Sequence, residues 1–436
     1  QGVVNLTGGA TQITDANALT LGQLATGALT ATATGALNLG QGNVGGTLNA
    51  TSNNGAITQT GALTTTGVAT LNAGTGAITL TQANDFQGVV NLTGGATQIT
   101  DANAFIASLN TSGTNTLTAG GNINATGTFT NLSASTTGPG AGISASSSAP
   151  ALTVTGASTS NGPITLGNAV GNLVLNGNIT SGTGTLSTSA SGTQTLAGGV
   201  VNTGNFILSG SGMALTGGTL NVTNLLTIST GATLTGGTGT LNAGTANIAN
   251  GGVLNAGGAT LNINTTNVQP GGTLNGTGTV NGSVFNSGIV SPGNSPGLLT
   301  ITGNLDLLAT GLLNIELSGS IPVTGYDRVA VGGSATLGGT LGIAQLNGFL
   351  PAFGDGFQFL TANGGVNGAF SQVLLPTAFA GMVLNYSTQF TELFKPLPGL
   401  LGQNMLIAAS QPIVFYDDKD IFKEEDKMDV SDQLCR

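Results

Sequence analysis

Residues 1–18 read QGVVNLTGGATQITDANA, and residues 87–104 read QGVVNLTGGATQITDANA again. Eighteen consecutive identities, opening at Gln1 and again at Gln87, make a repeat architecture the first expectation. A shorter echo runs inside the long one: GALN from Gly35, GAIT from Gly55 and GAIT from Gly76 recur at nearly even steps. Four coils per long repeat would give about 21.5 residues each, a length typical of solenoid units. Further along, GGTLNV from Gly217, GGVLNA from Gly251, GGATLNI from Gly257 and GGTLNG from Gly271 keep the pattern without the identity.

Each short unit alternates apolar residues with Thr or Asn, as in Ala77-Ile78-Thr79-Leu80, and is punctuated by Gly or Asn-Gly. Alternation at period two predicts strands, and glycine supplies the tight or left-handed conformations between them. Helix is disfavoured, because Gly, Thr and Asn are poor helix formers and no 3.6-residue stripe appears. A coil of about 20 residues cannot bury its apolar side chains alone, whereas stacked coils can. The expectation is an all-β parallel β-helix, or solenoid. Residues 1–290 would make about 13 coils, or roughly 65 Å of stack at about 4.8 Å per coil.

Composition points the same way. The 436 residues include 75 glycines, with 39% hydrophobic, 5% charged and 4% aromatic residues. An ordinary domain is about 25% charged. Low charge with this much apolar content is the opposite of the disordered signature. Collagen is excluded, because glycine does not recur at every third position and only 12 prolines occur. In a stack, a charge repeated at one position would repel itself from coil to coil, while Thr, Ser and Asn hydrogen-bond along the row.

The net charge of −10 is unevenly carried. Before Asp306 the chain holds three charges, Asp15, Asp85 and Asp101; the first two cations are Arg328 and Lys395; and 12 of the 22 charged residues lie between Asp417 and Arg436. A surface without Lys or Arg cannot neutralise phosphates or dock on anionic lipid, so no nucleic-acid partner is expected. No run of about 18 apolar residues exists, and no transmembrane helix is expected. The absence of His removes histidine bases and ligands, and the single Cys435 excludes a disulfide framework or thiolate zinc cluster. The chain opens at Gln1 without a Met or a signal-peptide pattern, which reads as a fragment or a mature product.

The chain changes character near residue 290, where residues 291–297 read SPGNSPG. Twelve of the 18 Phe and Tyr residues lie between Phe349 and Phe422, and larger side chains suit the open end of a solenoid. The expected organisation is a repeat rod over 1–290, a β-helix continuation with an aromatic-richer β cap over 291–400, and a charged mobile tail over 401–436.

The VNLTGGATQITDANALTLG and ATSNNGAITQTGALTTTG runs resemble the repeat region of filamentous-haemagglutinin-like exoproteins of Gram-negative bacteria. GGTLNGTGTVNGSVFNSGIVSPGNSPGLLTITGNL resembles the passenger-associated repeat of autotransporter adhesins. YDRVAVGGSATLGGTLGI and GDGFQFLTANGGVNGAFSQ are similar to the end of such passengers. The resemblance covers roughly residues 1–375 and implies a right-handed parallel β-helix, exported and displayed or shed as an adhesin. The stretch after Pro376 is short and its second half charged, without the amphipathic strands that an outer-membrane barrel needs. The likeness therefore implies two-partner secretion, with the outer-membrane transporter supplied by a separate protein. It also implies a secreted or outer-membrane-surface location and partners among host cells, glycans, matrix or neighbouring bacteria.

Catalytic candidates are few. Asp15 and Asp101 take the same place in the two long repeats, about four coils or roughly 19 Å apart, too far for a glycosidase pair. Asp85 reads as part of a turn in ANDFQG, and turn formation is the expected role of all three. Asp327 and Arg328 stand together in GYDRVAV, but neighbours on a strand face opposite ways. Gly276-Thr277-Gly278 is a compositional match to a phosphate loop without its Lys. Sequons at Asn5, Asn91, Asn124, Asn131, Asn178 and Asn221 follow from abundant Asn and Thr. Cys435 is either incidental or a tether. No catalytic, cofactor or metal residue is expected. The chain reads as a non-enzymatic structural adhesin or spacer. The alternatives are part of a surface carbohydrate-active β-helix protein and a decayed repeat without function.

Overall fold

A computed structural model describes residues 2–293, 295–398 and 412–416. The described chain is nearly all β, a parallel β-solenoid of about 15 turns with essentially no helix. Among the described residues the one helical element is the 3₁₀ turn Thr377–Phe379. The chain forms two compact units, one ending at Asn264 and one starting at Thr265.

In the first unit, period-two alternation becomes inside and outside. Leu29, Leu48, Ala69, Val90 and Ala107 stack in register through successive coils, and all are buried. Their neighbours Thr30, Asn49, Thr70, Asn91 and Ser108 form the adjoining outward row. Each fully buried Leu or Val contributes roughly 1.5–3 kcal/mol through water exclusion, and only a neighbouring coil makes that burial possible. Phe105 and Phe129 fill the same interior further along.

The repeated segment does not stack on itself. Thr11 pairs with Leu29, and the same row continues through Leu48 and Ala69 to Val90. Four coils thus carry the row from Thr11 only as far as Val90, short of Thr97, the counterpart of Thr11 in the second copy. Thr97 pairs instead with Ile78 on a different face. The second VNLTG therefore lies in the row that began with the first TQITD. Both segments alternate in the same sense, so either face accepts either one. Corners absorb the difference, since the coil from Val90 to Ala107 is shorter than the coil from Leu166 to Thr188. The even coil length and the shared position of Asp15 and Asp101 are both corrected by this register.

The early coils carry a further face, made by Val4–Thr7, residues 21–25, Gln41–Val44 and Leu63–Thr65, which reaches residues 85–86. Left-handed corners recur elsewhere. Asn54 has φ 61° and accepts the Thr75 N–H at 2.9 Å, and Gly74 lies over it in the next coil with φ 60°. A Cβ on Gly74 would sit 2.3 Å from the Asn54 Oδ1, so only glycine fits there. Asn161 and Gly182 repeat this arrangement, with φ 63° and 58°.

In the second unit, Leu298–Ile301 pairs in parallel with Arg328–Val331, and Leu312–Leu317 with Thr340–Gln345. Pairing then changes sense. Val383–Tyr386 and Phe390–Phe394 form an antiparallel hairpin, and Phe390–Phe394 pairs antiparallel with Gly356–Ala362. A hairpin laid on the last edge stops further coils from adding. Phe357, Phe359, Phe370 and Phe379 are fully buried beneath it, with Tyr326 and Phe349 edge-on to Phe357 at 5.4 and 5.9 Å. This is the aromatic β cap. Within the segment expected as a tail, Ile413–Tyr416 forms a strand parallel to Gln372–Pro376, and the Tyr416 hydroxyl donates to the Ile343 carbonyl. Residues 401–411 and 417–436, Cys435 included, lie outside the described residues.

Candidate functional site

Two of the acidic residues of the first unit, Asp15 and Asp101, serve the backbone. Asp15 Oδ1 accepts the Asn17 N–H at 2.7 Å, and Asp101 Oδ1 accepts that of Asn103 at 2.8 Å. Asp101 does more: its Oδ2 accepts the Phe86 N–H at 2.9 Å, where the Leu63–Thr65 face reaches its last rung. Asp101 is buried, and that burial raises its pKa against the two N–H donors. Asp85 is not in a turn. It belongs to the strand Ile78–Phe86, which bends at its exposed residues 81–83 and passes from one face to the next. The bend brings Asp85 close to Asp101, with Asn103 Nδ2 donating to Asp85 Oδ1 at 3.1 Å and Gln87 Nε2 to Oδ2 at 3.0 Å. Asp15 lies on another face.

Asn84 holds this bend. Fully buried, its Oδ1 accepts Leu63 N–H (2.9 Å) and Gln59 Nε2 (2.8 Å). Its Nδ2 lies within donating reach of the Leu80, Gln82 and Thr100 carbonyls at 3.1, 3.0 and 2.9 Å. Asn115, also fully buried, accepts the Thr97 and Thr111 hydroxyls at 2.6 and 2.9 Å. Sequence reasoning missed both hubs. The one signal was that Asn84 shares with Asp85 a segment read as a turn.

In the second unit, Asp327 is completely buried while Arg328 is half-buried at the start of its strand. Asp327 Oδ1 accepts the Gly297 N–H at 2.7 Å and Oδ2 the Glu316 N–H at 2.9 Å. Gly276 closes one strand and Gly278 opens the next, so that run is a strand junction. Among the described residues, no group of three or more acidic, Cys or His residues is placed to hold a metal, and no helix is long and apolar enough to cross a membrane.

What the first unit presents in quantity is uncharged hydrogen-bonding surface. One outward row runs Thr30, Asn49, Thr70, Asn91, Ser108, Thr126 through successive coils. A second row, two residues along each strand, runs from Thr32 to Thr128 with only Thr and Asn. The rows form a grid of about 4.8 Å between coils and about 6.6 Å along the strand. Further on, Asn221 Nδ2 donates to Asn202 Oδ1 (2.9 Å), Asn242 to Asn221 (2.7 Å) and Asn262 to Asn242 (2.8 Å). These bonds all run in one direction, so each amide polarises the next.

The ladder also uses sequon amides. Asn5 Oδ1 accepts the Gln23 N–H, Asn178 Oδ1 accepts that of Val200, and Asn221 Nδ2 is committed to Asn202. Asn91 and Asn131 are half-buried, and Asn124 is exposed. Replacing Asn242 with Asp sets a carboxylate against Asn221 Oδ1 and removes its donor. We expect a loss of about 1–3 kcal/mol at neutral pH, read by urea unfolding and recovered as the pH falls below about 4, where the new acid protonates.

A search of curated proteins finds no match to the chain. Residues 26–93 match a family model described as repeats of unknown function (DUF5649), a segment wholly inside the first unit that carries both outward rows as far as Asn91 and Thr93.

Proposed function

We propose that the chain is a secreted, elongated structural adhesin or surface spacer that attaches to cells or matrix through many weak contacts. The observation that carries this reading is the pair of registered, uncharged outward rows from Thr30 to Thr128. Each hydroxyl or amide contributes little, but neighbouring coils offer the same groups in the same orientation. Multivalent engagement raises effective affinity by about 10²–10⁴ without any strong single contact. That chemistry suits repetitive targets such as glycans, matrix or neighbouring bacterial surfaces, and the proposed route to the surface is a separate outer-membrane transporter. The carbohydrate-active alternative has Asp85 beside Asp101, but both oxygens of Asp101 already accept backbone N–H groups.

The test compares beads densely coated with the full chain against the same chain free in solution. Coated beads should hold cells or one another, and free chain should compete only at concentrations about 10²-fold or more above the bead-bound amount. The same protein should release no sugar from a polysaccharide panel. Inert beads would reduce the reading to a spacer, and steady sugar release would replace it with an enzyme.

A further inference from the structure

A third column lies beside the two outward rows. Val68, Val89 and Ile106 stand one residue ahead of Ala69, Val90 and Ala107, which pair in register from coil to coil. Alternation turns them outward with the rows, and at 41%, 37% and 48% exposure they present a continuous apolar strip to solvent. The pairings that carry all three columns run without a register shift from Leu29 to Phe129. No charged residue stands in any column.

The two rows also keep their polar groups for solvent. Further along the stack, the amides of Asn202 through Asn262 bond one another. In the rows, among the described residues, only two side chains meet a protein partner. Asn72 accepts the Gly74 N–H at 3.0 Å, and the Thr128 hydroxyl lies 2.8 Å from that of Ser148. The remaining hydroxyls and amides, most of them on exposed residues, are left to water. Threonine is β-branched with a restricted χ1, so its hydroxyl repeats as the backbone does. The grid of about 4.8 Å between coils and about 6.6 Å along the strand lies within about a tenth of the two perpendicular oxygen repeats on a prism face of ice. Across six coils the misfit along the stack reaches about 1.5 Å, less than a water diameter, so a water layer stays in step with the face. Apolar surface restricts the orientation of first-shell water, whereas a charge on the face would hold a hydration shell of its own out of register.

We propose that this face of the first unit binds ice, ordering a first water layer with its hydroxyls and amides and seating that layer against Val68, Val89 and Ile106. The activity is distinct from attachment to cells or matrix, although it draws on the same rows.

The test grows an ice shell slowly in a dilute solution of the full chain. Wild type should enter the ice, while a protein without such a face is pushed into the remaining liquid. Thr70→Tyr raises one side chain above the plane in the middle of the grid and should lose most of the uptake with its strand-type circular dichroism intact. Thr116→Tyr makes the same change on another face, where Gln98 and Ser133 are its neighbours, and should keep the uptake. Wild type excluded from ice overturns the proposal. So does a folded Thr70→Tyr taken up as well as wild type, or a Thr116→Tyr that loses as much. Should Thr70→Tyr fail to fold, Thr51→Lys decides, because it sets a charge at an exposed position of the second row: undiminished uptake rejects the proposal. Cell retention is a separate readout, so exclusion from ice leaves the attachment reading standing, and inert beads leave the ice result standing.

Discussion

Replacing Asn84 with leucine is expected to destabilise the first unit by about 4 kcal/mol or more, among the largest effects available to one substitution. The side chain is fully buried and serves Leu63 N–H, both ends of the Gln59 amide, and the Leu80 and Thr100 carbonyls. Leucine has nearly the same size, so packing is kept while the buried Leu63 N–H, the Gln59 carbonyl oxygen and the facing backbone carbonyls lose the Asn84 amide; Gln59 Nε2 keeps the Gly61 carbonyl. Each buried orphan costs about 1–3 kcal/mol. Amide hydrogen exchange should show the damage first at Leu63 and Phe86, where the strand Ile78–Phe86 bends between faces. Protection unchanged at both amides would mean that the bend is held by stacking alone.

Removing everything after Gly348 should have the other large effect. The strands Arg328–Val331 and Thr340–Gln345 would lose the partners Gly356–Ala362 and Gln372–Pro376, and Phe357, Phe359 and Phe370 would vanish from the interior. Open parallel edges beside an exposed apolar core recruit other chains. The truncated chain should aggregate at concentrations where the parent stays dispersed, as read by light scattering. Equal dispersion and equal urea midpoints would show that the antiparallel hairpin of Val383–Tyr386 and Phe390–Phe394 is not a cap.

The architecture was legible because one physical rule acts at every coil. Alternation such as Ile78-Thr79-Leu80 leaves a single burial pattern, and the scarcity of charge leaves Thr, Ser and Asn to bond along the stack, as Asn202 through Asn262 do. Register was less legible. Identical segments lie on different faces because alternation specifies inside against outside but not which side of the coil. Coil length depends on corners, and corners are set by individual residues such as Gly74 above Asn54. The polar hubs were hidden for a related reason. Asn84 and Asp101 meet through a bend inside a strand, and composition cannot distinguish that bend from a turn. Ile413–Tyr416 was hidden by its neighbours, since the acidic run from Asp417 outweighed four strand-forming residues just before it.

Attachment through the uncharged rows, as proposed, should be insensitive to salt. Between about 0.1 M and about 1 M ionic strength the screening length falls from about 10 Å to about 3 Å, which dissolves ionic adhesion and leaves hydroxyl and amide contacts largely intact. Cell retention should be measured across that range for beads carrying the wild-type chain and for beads carrying Thr32→Lys, Asn72→Lys and Asn110→Lys together, which break one outward row at alternate coils. Wild-type retention should change by less than about twofold across that range, and the triple variant should lose most of it while keeping its strand-type circular dichroism. Retention that collapses in salt, or a folded triple variant that adheres as well as the parent, would contradict attachment through the uncharged rows.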